Sequence, residues 1–391
     1  MRVLIVLTYY RPHTSGLTIY TERLAQALAK RGHRVTVLTS HYEKNLPYEE
    51  EVDGVKIIRF PVLFRISKGV ISASIGYLAT RLVKENDVIH LHLPQFDAAG
   101  IALRGRLFGK PSMITYHCDL KLPGGLFNFI VNQVVNVMNN LAAMFTDRVI
   151  TYTQDYADHS PYTSRYKQKT GIIQPPVVLP VAKPGAAEAF ARKYRLSERG
   201  PAIGMAARFA AEKGVEVLLD ALPHILAEFP KAVVFFAGQY KDVLGEDAYA
   251  ARLFPRIEKY IEQGNWEWLG VLNQEEMAAF YPNLDVLTVP SLNSTESFGL
   301  VQIEAMMNNV PVVASNLPGV RQPVKMSGMG EIFPIGDAAG LAEQICKVLR
   351  NRSAYKVDHD WLINFFSPDT VAAEYERQFE ELRQGKNRPN R

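Results

Sequence analysis

With 391 residues, 47% apolar and 21% charged, the chain has the composition of a soluble globular protein long enough for two domains of ordinary size, without repeats or low-complexity tracts. Two cysteines, Cys118 and Cys346, are too few for a disulfide framework and lack metal-ligand spacing, which points to a cytoplasmic location. The net charge of +4 conceals an asymmetry: residues 1–170 carry 21 Lys and Arg against 13 Asp and Glu, residues 171–391 carry 23 against 27, so the first half is the one suited to an anionic partner.

The opening MRVLIVLTYYRPH has a short apolar run but no small-residue cleavage site, and it reads as a first strand and not a signal peptide. Val3–Leu7, Val35–Thr39, Val55–Phe60, Val88–Leu93, Ser112–Tyr116 and Arg148–Thr151 are apolar segments separated by helical stretches. This alternation predicts an α/β domain over residues 1–172, a doubly wound parallel sheet with helices on both faces. Ligands of such sheets sit beyond the carboxyl ends of the strands, which directs attention to Thr8–Gly16, His92, Pro94 and His117–Asp119. The turn after the first strand lacks G-x-G-x-x-G, which argues against an NAD or FAD dehydrogenase. His117 has two readings, a neutral imidazole serving local hydrogen bonds or a ligand contact. A Cys118–His117 nucleophile is disfavoured, since sequence neighbours rarely have the required geometry.

Two stretches of the first half are unusual. Residues 54–84 contain six bases (Lys56, Arg59, Arg65, Lys68, Arg81, Lys84) and no acid, while Leu122–Thr146 contains no charge at all. In the second, Asn128, Asn132, Asn136 and Asn140 form an amide stripe opposite Phe127, Ile130, Val131, Val134, Val135, Met138 and Leu141, too polar for a membrane span. The pattern predicts amphipathic helices packed on the core with a solvated outer face. The competing expectation is a basic, partly apolar mouth resting on an anionic membrane surface or holding a lipid-linked acceptor. No nucleic-acid partner is expected.

The Pro-rich run GIIQPPVVLPVAKPG marks the connection between domains, with the linker placed at 173–185. A second α/β domain follows over 186–366, with strands expected at Ala202–Ala206, Ala232–Ala237, Trp266–Leu269, Val286–Val289 and Val312–Ala314. Arg208 and Lys213 lie between the first of these strands and the helix that follows, where two fixed cations suit a diphosphate. In Pro290–Asn309, Glu296 sits in a turn after a buried strand and Glu304 in the second turn of the next helix. The free amides and dipole of that helix form a phosphate site between them. Asp358-His359-Asp360 has the letters of a metal-binding Asp-x-Asp but leads into an apolar run, and it is read as a helix-start cap; no metal site and no cofactor is expected.

T-E-S-F-G-L-x-x-x-E-A-M at 295–306, P-V-V-A-S-N-L-P-G-V at 311–320 and A-A-R-F-A-A-E-K-G-V at 206–215 resemble the retaining glycosyltransferases of family four, of E-x7-E type. The resemblance covers most of the second half and follows more loosely in the first. It implies the GT-B fold, two Rossmann-like domains facing each other across a cleft, the last helix (about 369–386) returning to the first. It implies transfer of a hexose from a nucleotide donor with retention and without a metal; a UDP- or GDP-sugar as donor and a lipid-linked or cell-envelope glycan precursor as acceptor are further expectations, and a place at the inner face of the membrane is expected from the basic and uncharged stretches. Arg208 and Lys213 would stabilise the diphosphate, Glu296 hold sugar hydroxyls and His117, in the family's T-x-H position, close the sugar site. The donor-binding set would be Gly16, Gly238, Val271, Leu272, Ser297, Phe298, Gly299, Leu300 and Glu304, with Ser15-Gly16 replacing the family's Gly-Gly pair. The alternatives are a phosphorylase or epimerase on the same fold and a non-catalytic sugar-nucleotide-binding subunit at a membrane.

Overall fold

The computed structural model describes residues 1–66, 69–121, 125–179 and 181–387. Lys68 of the basic stretch, Leu122 at the start of the uncharged one and Pro180 of the linker lie outside them. The chain divides into two compact units, Met1–Val177 with Phe365–Arg391, and Val178–Asn364.

In the first unit, strands β1 (Arg2–Val6), β2 (Arg34–His41), β3 (Glu49–Val52) and β4 (Val55–Pro61) are followed by a hairpin of β5 (Phe64–Ile66) and β6 (Gly69–Ile71). Strands β7 (Val88–Leu93), β8 (Ser112–Tyr116), β9 (Arg148–Thr151) and β10 (Thr170–Ile172) complete the unit's eight-stranded sheet, ordered β10-β9-β8-β7-β1-β2-β4-β3. The pairings are parallel except β3 with β4. The central strands are buried on both faces, which is why they read as continuous apolar runs, not alternating ones. The chain winds outward through β2, returns past β1 to β7, and winds outward on the other side, so strand order reverses between β1 and β7.

The helices of this unit are α1 (Gly16–Lys30), α2 (Ile75–Glu85), α3 (Ala98–Leu107), α4 (Leu126–Phe145) and the short α5 (Gln154–His159). The C-terminal helix, Pro368–Asn387, packs along α1. Its Tyr375 hydroxyl lies 2.7 Å from both Tyr20 Oη and Thr115 Oγ1, and Glu376 pairs with Arg31 at 2.7 Å. The Pro-rich run begins inside this unit: β10 pairs in register with β9, and Val177 N–H donates to Phe366 O at 2.8 Å.

Two expectations for the first unit are corrected. The basic stretch forms strands, a hairpin and α2, not one amphipathic helix, and Arg59 leaves the surface altogether. Its side chain is buried and donates to Glu50 at 2.5 Å and to the carbonyls of Pro47 and Arg11. In α4 the apolar positions divide: Phe127 is 60% exposed, Ile130 52% and Val134 41%, whereas Val131, Val135, Met138 and Leu141 are half-buried, as are Asn128, Asn132, Asn136 and Asn140, and Asn139 is 1% exposed. The amides turn inward because polar partners wait there. Asn139 Oδ1 accepts from Gln95 N–H, and Asn140 accepts from the Tyr166 hydroxyl. Among the described residues no helix is long and apolar enough to cross a membrane.

The second unit comprises α6 (Ala186–Lys193), β11 (Ala202–Ala206), α7 (Val215–Glu228), β12 (Val233–Ala237), α8 (Asp247–Glu262), β13 (Trp266–Gly270) and α9 (Gln274–Phe280). It continues through β14 (Val286–Val289), α10 (Leu300–Met307), β15 (Val312–Ser315), α11 (Gln322–Ser327), β16 (Gly330–Phe333), α12 (Ala338–Arg350) and α13 (His359–Phe365). The sheet is parallel with order β13-β12-β11-β14-β15-β16. Strand β16, which sequence patterning missed because Gly330-Glu331 breaks its apolar run, pairs with β15 over four residues. Helices α7 and α12 lie against each other over a core that includes Phe209, Leu218, Leu222, Phe236 and Trp266. The order reverses between β11 and β14. Outside the carboxyl ends of the strands at such a reversal, an open α/β sheet leaves a crevice for a ligand.

Candidate active site

The loops that follow β11 and β14 stand side by side at that reversal. The first, residues 207–214, carries Arg208 and Lys213; the second, residues 290–299, carries Glu296. They are in contact at the backbone, because Leu292 N–H donates to the Glu212 carbonyl at 2.9 Å. Gly214, at φ +68°, makes this approach possible: a Cβ there would lie 2.1 Å from the Pro290 carbonyl oxygen. No other residue fits both that backbone conformation and that contact.

The docking of the two loops sets the side chains. Lys213 Nζ donates to Glu296 Oε2 at 2.6 Å, with the two side chains 18% and 20% exposed. Arg208 Nη2 donates to Glu212 Oε1 at 2.9 Å. The sequence pattern assigns Lys213 and Glu296 separate ligand contacts and does not mark out Glu212. The structure joins the first two and supplies Arg208 with an acid four residues on. An ordered charge-assisted pair holds both partners in one rotamer while leaving the lysine two further donors and the carboxylate further lone pairs.

Next in the chain come Ser297, Phe298 and Gly299, all buried, and Leu300, which opens α10. Gly299 caps the helix at φ +79° without a side-chain cap hydrogen bond, so the positive end of the helix dipole there favours an anion. The loop is fixed from beneath by Gln302, whose buried Nε2 donates to the carbonyls of Phe298 at 2.7 Å and Val320 at 2.9 Å. Glu304, one turn on, accepts from the Tyr281 hydroxyl at 2.8 Å. Neither Gln302 nor Tyr281 carries a motif that sequence alone would reveal.

The remaining expected donor contacts lie along the same carboxyl-terminal edge of the sheet. Gly238 follows β12, packed against the Ala207 carbonyl. Val271 (67% exposed) and Leu272 follow the edge strand β13, two strands from β11. Asp358 caps α13 by accepting from Trp361 N–H at 3.0 Å.

Gly16 and His117 belong to the first unit. Gly16 opens α1, whose cap Ser15 Oγ accepts from Thr18 N–H at 3.2 Å, and a Cβ on Gly16 would meet nothing within 4 Å. His117 follows β8 and is buried. Its Nε2 lies 2.8 Å from His92 Nδ1 and its Nδ1 is hydrogen-bonded to the Tyr152 hydroxyl. Burial, with His90 adding to it, pushes the His117 pKa down to about 3; burial alone does the same to His90, and His92 is held well below the usual range. The three imidazoles are neutral near pH 7, so His117 serves as a hydrogen-bonding group and not as a cation.

Two family descriptions match this chain: "Glycosyltransferase Family 4" over residues 14–179 and "Glycosyl transferases group 1" over residues 187–361. The chain belongs to glycosyltransferase family 4. Together the two matches span most of this glycosyltransferase, one in each unit. The phosphatidyl-myo-inositol mannosyltransferase of Mycobacterium leprae is 23% identical over 389 residues, covering 97% of this chain and 96% of that one. Among solved structures, sucrose-phosphate synthase from Thermosynechococcus elongatus aligns with a TM-score of 0.76 at 19% identity, covering 98% of this chain and 99% of that one. Anabaena HepE in complex with UDP-glucose aligns with a TM-score of 0.75 at 17% identity, covering 97% and 100%. Both units of the glycosyltransferase thus have the α/β, parallel-sheet architecture of GT-B proteins.

Proposed function

We propose that this glycosyltransferase moves a hexose from a UDP- or GDP-sugar, with retention at the anomeric carbon, to a lipid-linked or cell-envelope glycan precursor. The observation that carries the donor reading is the Lys213–Glu296 pair, 2.6 Å long, held across the strand-order reversal by the contact between Gly214 and Pro290. A cation and an acid fixed side by side at the start of a helix fit the two ends of a sugar diphosphate. Arg208, Lys213 and the first-turn amides of α10 meet the diphosphate, Glu296 with the amides of Ser297 to Leu300 meets sugar hydroxyls, and Glu304, oriented by Tyr281, meets the ribose.

Cleavage of the bond between the anomeric carbon and the phosphate oxygen leaves negative charge on the departing nucleoside diphosphate. Arg208 and Lys213 lie where positive charge lowers the energy of that state, the role a divalent metal fills elsewhere. The acceptor hydroxyl gives its proton to the leaving phosphate oxygen and forms the new bond on the face that oxygen vacates, which retains configuration without an enzyme nucleophile. Val271 and Leu272 contact the base. HepE, by its description, binds UDP-glucose, and the M. leprae relative is named for mannosyl transfer to a phosphatidylinositol, which together favour a nucleotide-sugar donor and a lipid acceptor.

A thermal-shift panel of UDP-, GDP- and ADP-sugars tests the donor class. A ligand that binds only the folded state at about 100 times its Kd stabilises by ~2.7 kcal/mol, a shift of several degrees. A panel in which no nucleotide sugar raises the melting temperature, with inorganic pyrophosphate equally inert, would sink the donor assignment.

A further inference from the structure

The exposed apolar side chains of helix α4 have no part in the donor chemistry. Leu126, Ile130, Val134, Val137 and Met144 line its outer face at 41–78% exposure, and Phe127 and Phe129 add aromatic surface at its first turns. Helix α3 packs along α4 and shows Leu103, Leu107, Phe108 and Arg106 outward; α2 packs along α3 and shows Tyr77 at 80% exposure with Arg81 and Lys84. One core cluster lies beneath all three helices, so their outer sides form a single layer. Contiguous apolar surface of this kind marks a place where a soluble protein meets something else.

The charges say what that partner is. Helices α2, α3 and α4 carry Arg81, Lys84, Arg104 and Arg106 against the single acid Glu85. Glu85 lies 3.9 Å from Arg81, and Asp97, at the start of α3, is half-buried. A second copy of the chain is a poor occupant. A two-fold contact would set this face against itself and bring bases against bases with almost no acid to meet them. A lipid surface with anionic headgroups satisfies both features at once, since it takes the apolar side chains below the headgroups and the bases among them.

We propose that the outer face of α4, flanked by the bases of α2 and α3, seats the first unit on an anionic lipid bilayer. The helix lies on the surface and does not span it. This deepens the lipid-acceptor side of the function proposed above and rests on that reading only for its purpose, because vesicle binding is measured without donor or acceptor.

The test is flotation of the full chain with vesicles of phosphatidylcholine alone and of phosphatidylcholine mixed with phosphatidylglycerol. Wild type should float with the mixed vesicles and stay behind with the neutral ones. Ile130→Ser with Val137→Ser and, separately, Lys84→Gln with Arg106→Gln should each lower the partition coefficient by at least about tenfold, at roughly fivefold per base removed in the second pair. The replaced side chains are exposed, so both variants should keep the wild-type melting temperature and any donor-induced shift. Equal flotation with both vesicle types, no flotation, or a dimer in sedimentation velocity that the serine variant dissolves would each overturn the proposal. Absence of a donor shift in wild type would instead strike the proposed donor chemistry and leave vesicle binding untouched.

Discussion

Replacing Lys213 by Ala removes the ammonium that sits 2.6 Å from Glu296 and leaves that carboxylate, 20% exposed, without its cation. Two separate losses follow. The first is structural: an acid that is mostly but not fully buried loses its partner, which costs about 1–3 kcal/mol and should lower the melting temperature by roughly 2–4 °C for each kcal/mol. The second is chemical, since a positive donor aimed at charge developing in the transition state contributes about 2.7–4 kcal/mol, or roughly 100- to 1000-fold in turnover. Steady-state kinetics at saturating donor, at a temperature where both proteins are folded, separates the two, because a folded variant that merely binds donor poorly recovers its kcat there. Lys213→Ala should remain at least about a hundredfold below wild type. Pairing it with Glu296→Gln in a double-mutant cycle should give strongly non-additive losses, as expected of groups in contact. A folded Lys213→Ala protein with kcat within about threefold of wild type at saturating donor would refute the role given to this pair.

Gly214→Ala should lower both stability and turnover, because the new Cβ is driven against the Pro290 carbonyl at 2.1 Å; thermal melts and kcat check it, and a variant indistinguishable from wild type would mean the two loops are not locked together. Tyr281→Phe removes the 2.8 Å hydrogen bond to Glu304 and should raise KM for donor about fivefold, the equivalent of ~1 kcal/mol, with little change in kcat. Acid should destabilise the first unit through its neutral histidines. His90 and His117 have folded pKa values of about 3 against an ordinary value near 6.5, so the unfolded chain binds more protons between those limits. Their contribution is complete above about pH 6.5 and is lost as pH falls toward 3, at up to ~1.4 kcal/mol per pH unit for each imidazole. Urea unfolding at pH 7 and pH 5 measures it; equal stability at both would show that these rings are already solvated.

Local sequence determined a good deal. The apolar runs that became the central strands, the Pro-rich run near the connection, and the acids and cations flanking two strand-to-helix turns could be read directly, because a buried parallel strand and a helix start depend on a few neighbouring residues. Tertiary structure decided what those residues touch. That Lys213 meets Glu296 follows from β11 and β14 lying side by side, although 83 positions separate the two residues, and no local pattern encodes that adjacency. Gln302 and Tyr281 became visible for the same reason, as groups that fix the second loop and Glu304 through contacts distant in sequence. Helix α4 makes the point in reverse. Its period of apolar and amide positions predicts a helix and cannot say which side faces in. Asn139 is turned inward by Gln95 and Asn140 by Tyr166, which leaves Ile130, Val134 and Val137 outside while Met138 and Leu141 still pack on the core. Amphipathic spacing states that a helix has two faces, and only the partners brought to it by the fold choose between them.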